Sequence, residues 1–293
     1  RTCSARTDGP AKPASCEADR TVAFKVTKYT LTPPRWPQGF RLRAAVLSDI
    51  HASWPWMTPS RIRRLVDQAN ALSPDVFLLL GDFGHAVHFF GRPVAHADYA
   101  GALAGLTAPL GAHAVLGNHD WSDDRDAVRR GAGPTGAGEA LEAVGIAVHH
   151  NRAVRLDHGG LGFWLAGLGS QRAFRLPRGE RKPLAKYRRF DDLAGTLAQV
   201  TGDEPVILLA HEPDIFPDVP DRVSLTLSGH THAGQINLFG WTPVVPSYHG
   251  SRYVHGHIVE DGQHLIVSAG LGYSGIPLRL GTTPEIVLLD LGA

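Results

Sequence analysis

The stretch Ala44-Ala45-Val46-Leu47-Ser48-Asp49-Ile50-His51 passes within eight residues from an apolar run to a carboxylate and an imidazole. Residues 44–47 read as a short buried strand, and Asp49 and His51 follow at the point where it would end. Four further places repeat this order. The run over residues 76–80, bounded by Pro74 and Gly81 and too short for a helix of ordinary length, leads into Gly81 and Asp82. Residues 113–116 lead into Gly117, Asn118, His119 and Asp120, residues 206–210 into His211, and residues 225–227 into Gly229, His230, Thr231 and His232. In open α/β sheets ligands gather in the crevice beyond the carboxyl ends of the strands, so five distant points of the chain are expected to meet in one site.

Amphipathic segments separate these runs. Thr58 and Pro59 supply an N-cap and a first-turn proline for a helix whose apolar positions are Ile62, Leu65, Val66, Ala69 and Leu72. Helices are also predicted over residues 97–106, 138–144 and 191–200, and further strands over 265–267 and 286–289. Residues 152–156 and 162–168 flank Asp157, His158, Gly159 and Gly160, a hairpin signature, whereas the strand, helix, strand units imply parallel pairing. The sheets should therefore be mixed and the class α/β. Residues 21–32 read as an edge strand before a proline-rich turn. Residues 1–20 lack periodicity and read as a flexible lead-in, which leaves one domain over residues 21–293.

Composition is consistent with a folded enzyme. The 293 residues are 43% apolar and 19% charged, with a formal net charge of +1. A nucleic-acid binder is not expected from that balance, and the locally basic run over residues 178–189 reads as a solvated loop. No run approaches the roughly 18 apolar residues of a membrane span. Two cysteines, Cys3 and Cys16, lie far from the motifs, either as a disulfide or as free thiols, which excludes a cysteine-built zinc site. Sixteen histidines point to imidazole chemistry. The chain starts with Arg1 rather than Met, an indication of an upstream segment removed by processing.

Two aspartates, one asparagine and four histidines would serve two cations sharing a carboxylate, and the mixture of nitrogen and oxygen ligands favours Mn, Fe or Zn over Ca or Mg. Cations so placed lower the pKa of a shared water and neutralise phosphoryl oxygens, which suits hydrolysis of a phosphate ester.

The ordered set Asp49, His51; Gly81, Asp82; Gly117, Asn118, His119, Asp120; His211; Gly229, His230, Thr231, His232 resembles the signature of calcineurin-like metallophosphoesterases. The resemblance implies a fold of two mixed β-sheets flanked by helices. It implies that Asp49, His51 and His232 bind a first metal, that Asn118, His211 and His230 bind a second, and that Asp82 bridges them. It makes His119 the proton donor or phosphate stabiliser, with Asn118 beside it and Asp120 orienting it; the other reading of Asp120 is a cap on the following turn. The C-terminal third, with Ser251, Arg252, Tyr253, His255 and the run from Ser268 to Leu280, is similar to a bacterial membrane-associated subgroup that cleaves UDP-2,3-diacylglucosamine. That similarity implies a phosphodiester or pyrophosphate bond as target, a lipid-linked or nucleotide-containing substrate, peripheral membrane contact and a membrane-associated or extracytoplasmic location. A phosphomonoesterase acting on small molecules or phosphoproteins is the alternative, followed by a metal-binding scaffold without catalytic activity. Trp54, Trp56, Phe89, Phe90 and Trp241 lie near the motifs and suggest an apolar entrance. His255 and Arg279 are weighed as phosphate contacts or structural partners, His85 and His88 as pocket or surface residues, and His149 and His150 as surface residues.

Overall fold

A computed structural model of the chain describes residues 23–84, 86, 91–176 and 187–293. The lead-in with Cys3 and Cys16, the residues His85, His88, Phe89 and Phe90, and residues 178–186 of the basic run lie outside the described residues.

Two six-stranded sheets form the centre. The first has the order β1 (Lys25–Leu31), β16 (Glu285–Leu291), β2 (Leu42–Leu47), β4 (Val76–Leu79), β6 (Ala112–Ala114), β7 (Ala147–Val148). The second has the order β14 (Gly256–Glu260), β15 (Gln263–Val267), β13 (Leu225–Ser228), β12 (Val206–Leu209), β9 (Leu161–Gly167), β8 (Arg152–His158). Two short ribbons pair β3 (Ser53–Trp54) with β5 (Arg92–Pro93), and β10 (Phe174–Arg175) with β11 (Tyr187–Arg188). Both large sheets are mixed. Strands β2, β4, β6 and β7 run parallel, as do β9, β12, β13 and β15, while β16 opposes β2 and the edge strands β8 and β14 oppose their neighbours. The expected edge strand is β1, and the expected hairpin is β8 with β9, closed by Gly159 and Gly160 at φ 62° and 81°. Positive φ at both central residues is what a type I′ turn requires.

The apolar runs are continuous because each strand buries both faces. Side chains alternate along a strand, so Ala44, Val46 and Leu78 pack inward against Leu165, Ile207, Leu209 and Leu227 of the other sheet. Ala45, Leu47, Phe77 and Leu79 face outward onto α1 (Pro59–Asn70) and α2 (His96–Leu103) through Ile62, Leu65, Tyr99 and Leu103. On the far side Val206, Leu208 and Val267 pack on Ile215, Phe216 and Tyr253. Helix α1 starts as its sequence dictates, with the Thr58 side chain accepting from Arg61 N and Pro59 in the first turn. Two short helices, α3 (Asn118–Ser122) and α4 (Arg125–Arg130), are absent from the sequence reading, being too brief for a periodic signal. Helix α5 (Gly136–Ala143) matches it closely, and α6 (Leu193–Leu197) is half the predicted length.

Each ligand-bearing loop leaves the carboxyl end of a parallel strand: β2, β4 and β6 from one sheet, β12 and β13 from the other. The sandwich core fixes the separation of those ends. Leu78→Ala, which empties part of the layer between the sheets, is expected to cost about 2–5 kcal/mol in chemical denaturation; a loss below about 1 kcal/mol would mean that the layer repacks freely.

Candidate metal centre

Six of the seven predicted ligand residues come together. Two groups each hold three side chains with ligand atoms within 4.8 Å of one another: Asp49, His51 and His232 in one, Asp82, His211 and His230 in the other. Asp82 lies between them, with Oδ2 3.2 Å from His211 Nε2 and 3.7 Å from His51 Nε2, the position of a bridging carboxylate. All of these side chains are buried.

The residues present fit two cations on three counts. First, nitrogens face one another: His51 Nε2 is 3.1 Å from His232 Nε2, and His211 Nε2 is 3.2 Å from His230 Nδ1. Imidazole nitrogens that each lie about 2.0–2.1 Å from one shared cation approach to this range. Second, the carbonyl oxygen of Asn118 is buried without a hydrogen-bond partner, an arrangement that costs about 1–3 kcal/mol unless something accepts its lone pairs. Third, the rings are prepared as ligands. His51 Nδ1 is 2.9 Å from Gly84 O and His211 Nδ1 is 2.7 Å from Leu80 O, so each ring donates at Nδ1 and turns its Nε2 lone pair inward. Burial pushes the His51 pKa down to about 4 and those of His230 and His232 well below the usual range, which keeps them neutral. His211 goes the other way: burial opposes its charge, but Asp82 overcomes it and raises the pKa. A cation beside Asp82 would oppose that rise.

One contact opposes this arrangement. Arg279 Nη2 lies 3.0 Å from His232 Nδ1, and a guanidinium can only donate. A ring ligating through Nε2 carries its N–H at Nδ1, so a cation there requires this arm of Arg279 to turn aside. Its other bonds, to Gly272 O and Ala269 O, can remain.

The backbone that presents the ligands is unusual. Asp49, His51, Asp82, His230 and His232 have φ of 52°, 47°, 56°, 69° and 53°, in the left-handed region that costs a non-glycine residue roughly 1–2 kcal/mol. Carboxylates hold it there. Asp49 accepts from Ser48 Oγ at 2.5 Å and from His230 N at 3.1 Å, which pins the last ligand loop to the first. Glycines permit the approach: a Cβ on Gly229 would lie 1.9 Å from Ser48 Oγ and 2.5 Å from Asp49 Oδ2.

The role expected for Asp120 needs correction. Its carboxylate accepts backbone N–H bonds from Gly117 (2.9 Å), Asp82 (2.8 Å), Phe83 (2.9 Å) and Gly84 (3.3 Å), so it ties the second motif to the third. The carboxylate that meets the His119 ring is Asp123, with Oδ2 3.0 Å from Nδ1. The two stand four residues apart from the start of α3, a spacing that puts side chains on one helix face and was legible in the sequence. Burial works against a charged His119, yet Asp82 and then Asp123 outweigh it and push the pKa up to about 9. Cations between the carboxylates would compete with that proton.

Other expectations resolve by contact. His255 pairs with Glu285 at 2.8 Å and Arg279 is engaged as described, so both serve the framework. His149 is buried and stacks on His113, and His150 is half-buried against Trp121, which corrects their reading as surface residues. Trp54 and Trp241 are exposed and Trp56 is half-buried, and none of the three lines the recess at His232 or the recess at Asp214. The sequence reading missed Arg172, which follows the end of β9 as the ligands follow other strands. It is 9% exposed, bound to Asp214 at 3.0 Å and near enough to disfavour a charge on His230.

Comparison with known proteins agrees with this geometry. The family model for calcineurin-like phosphoesterases matches residues 42–234, and the chain belongs to that family. An uncharacterized metallophosphoesterase of Aquifex aeolicus is 29% identical over 276 residues, covering 92% of this chain and 93% of its own. The uncharacterized metallophosphoesterase YkuE of Bacillus subtilis is 28% identical over 92% of this chain and 85% of its own. A transmembrane protein with metallophosphoesterase domain from Danio rerio is 31% identical over 91% of this chain, which spans 57% of that protein. A solved dimetal phosphatase from Danio rerio has a TM-score of 0.38 at 14% identity, covering 78% of this chain and 87% of that one, a likeness too low to carry weight.

Asp82→Asn is expected to lower bound metal at both positions, and Gly229→Ala mainly at the position of Asp49, each by about 10–100-fold in affinity. Elemental analysis after gel filtration reads both; unchanged metal content in Asp82→Asn would remove the bridge assignment.

Proposed function

We propose that the chain is a dinuclear metal-dependent phosphodiesterase, a class that includes cleavage of pyrophosphate bonds, working with Mn, Fe or Zn. The observation that favours a diester is a pair of recesses of different character, one lined in part by the ligand His232 and the other by residues that follow the ligand His211 in the chain. One, of 320 Å³, is lined by Thr231, His232, Gln235, Val244, Ser274 and Ile276 and is largely apolar. The other, of 400 Å³, is lined by Gln171, Tyr187, Arg189, Asp214, Tyr248 and His249 and begins three residues after the ligand His211. Two recesses of different character accommodate two different ester substituents, whereas a monoester needs one.

Two cations held by the seven ligands supply Lewis acidity and lower the pKa of a shared water. The rest falls to side chains. Asn118 and His119, on the first turn of α3, flank the phosphoryl group. His119 is fixed through Nδ1 by Asp123 and holds a proton at Nε2 for the departing oxygen. Arg189, on the lining of the polar recess and paired with Asp191, is the guanidinium that an anionic substituent there would meet, where a second phosphate of a pyrophosphate substrate would sit. The apolar recess suits a hydrocarbon portion, in keeping with a lipid-linked ester rather than a nucleic acid.

Metal-stripped protein resupplied singly with Mn, Zn, Fe or Mg is expected to hydrolyse bis-p-nitrophenyl phosphate faster than p-nitrophenyl phosphate. Faster turnover of the monoester would overturn the diester reading in favour of a phosphomonoesterase. His119→Ala should retain its metal and lose about 10²–10⁴-fold in kcat on an alkyl ester, but much less on a p-nitrophenyl ester, whose leaving group needs no proton. Equal losses on both substrates would show that His119 does not act as the acid.

A further inference from the structure

Residues 236–247 contain no Asp, Glu, Lys or Arg, and neither do residues 268–278. Together they carry half of the exposed large apolar side chains of the described residues. Phe239 is fully exposed at 109%, Val244 is 71% and Trp241 63% exposed, and Leu238, Ile276, Leu278 and the adjoining Leu280 are also open to water. Contiguous apolar surface of this kind on a folded chain marks an interaction site.

The segment is built, not loose. Leu238 and Trp241 exchange backbone hydrogen bonds of 2.8 and 3.0 Å around a two-residue turn, with Phe239 at φ 53° and Gly240 at φ 94°. That turn normally takes asparagine, aspartate or glycine in its first central place, and a bulky side chain there is strained. Phe239 is thus held against its backbone preference, fully in water, at the tip of the turn. Both costs disappear from the ledger of design only if the ring has an apolar destination. Asn237 fixes the turn, its Oδ1 accepting from Gly240 N at 2.7 Å and its N–H donating to Leu280 O at 2.7 Å. Gln235 clamps the two segments together: Nε2 donates to Ser274 O and Ile276 O, and Oε1 accepts from Ser274 N. Gln235 stands three residues after the ligand His232, and the apolar recess beside His232 lies between the same two segments.

We propose that the turn at Leu238 to Trp241, with Leu278 and Leu280, is a docking surface for a lipid layer. A protruding aromatic residue on a turn without charged residues suits a fluid apolar phase, which needs no shape complement, and tryptophan favours the boundary between such a phase and water. Docking there places the apolar recess and the metal centre against the layer, so that an ester is drawn from it with its hydrocarbon part still shielded. That catalytic consequence rests on the phosphoesterase reading; the docking itself does not.

The test is co-sedimentation of the metal-loaded full chain with phosphatidylcholine vesicles. Binding is expected, with little change on adding phosphatidylglycerol or salt, since Arg279, the one charged residue between Leu278 and Leu280, is bonded inward to Gly272 O and Ala269 O. Phe239→Gly is the discriminating variant. Glycine relieves the positive φ, so the melting temperature should rise or hold while vesicle binding falls at least about tenfold. Trp241→Ser should weaken binding as well, and both variants should hydrolyse bis-p-nitrophenyl phosphate in vesicle-free buffer like the parent. No sedimentation of the parent, or equal sedimentation of Phe239→Gly, overturns the proposal. So does a dimer of the parent in solution that Phe239→Gly dissociates, which would make the surface a contact between copies of this chain. Absence of ester hydrolysis in all three proteins would count against the phosphoesterase reading and leave the vesicle result to stand by itself.

Discussion

Three buried carboxylates, Asp49, Asp82 and Asp120, set the terms for the rest of the molecule. An unpaired buried charge costs several kcal/mol, and three within one cluster repel one another besides. The chain meets this cost in two ways. Asp120 is satisfied wholly by backbone N–H groups, which makes it a clamp between the strand ends of β4 and β6. Asp49 and Asp82 are only partly satisfied, each keeping oxygen capacity turned toward a set of imidazoles of which burial favours the neutral form in His51, His230 and His232. A cluster with more acceptors than donors is unstable as an apo site and well matched to cations. The raised pKa of His211 expresses the same imbalance, because in the absence of a cation a proton is drawn in to fill part of the deficit.

That imbalance explains why the ligand backbones are strained. Five ligands lie at positive φ, and each needs neighbours that over-determine it. Those neighbours are the sandwich core beneath and the close approaches at Gly81, Gly117 and Gly229, where any side chain would collide with a ligand loop. A Cβ on Gly81 would stand 2.3 Å from Gly117 N, so the second and third motifs touch backbone to backbone. The glycines in the motifs are therefore spacing elements. The stiffness of a core buried on both faces of each strand is what lets the loops above it hold a conformation they would not choose.

Much of this was legible in the sequence, and the reason is physical. Strands buried on both faces leave continuous apolar runs, and the abrupt change to Asp, Asn and His at the ends of five of them betrays both the strand ends and the site. The ligand set, the mixed sheets, the edge strand β1 and the β8 to β9 hairpin all follow from that contrast. What escaped depends on geometry without a local pattern. Helices α3 and α4 span only five and six residues, too few for a period to show. The exchange of roles between Asp120 and Asp123 depends on which carboxylate turns toward a ring and which toward the backbone, and adjacent acidic residues look alike in a sequence. His149 and His150 read as polar surface, but stacking on His113 and on Trp121 lets imidazole rings serve as packing material. Arg172 could have been found by applying to β9 the same rule of strand ends that located the ligands.

The metal centre and the apolar turn break the rules of folding in opposite senses, and they do so side by side. The centre buries charge; the turn exposes hydrocarbon. In each, non-glycine residues occupy left-handed backbone, His230 and His232 in one and Phe239 in the other, with Gln235 at φ 55° between them. Local preference is usually overridden where function requires it, so two adjacent violations joined by one side chain point to a common purpose. On the proposed function, a crevice suited to charge beside an apolar rim would match a substrate with both characters, an anionic ester at one end and hydrocarbon at the other. The Gln235 clamp, which accepts and donates across both segments, fixes the distance between those two ends.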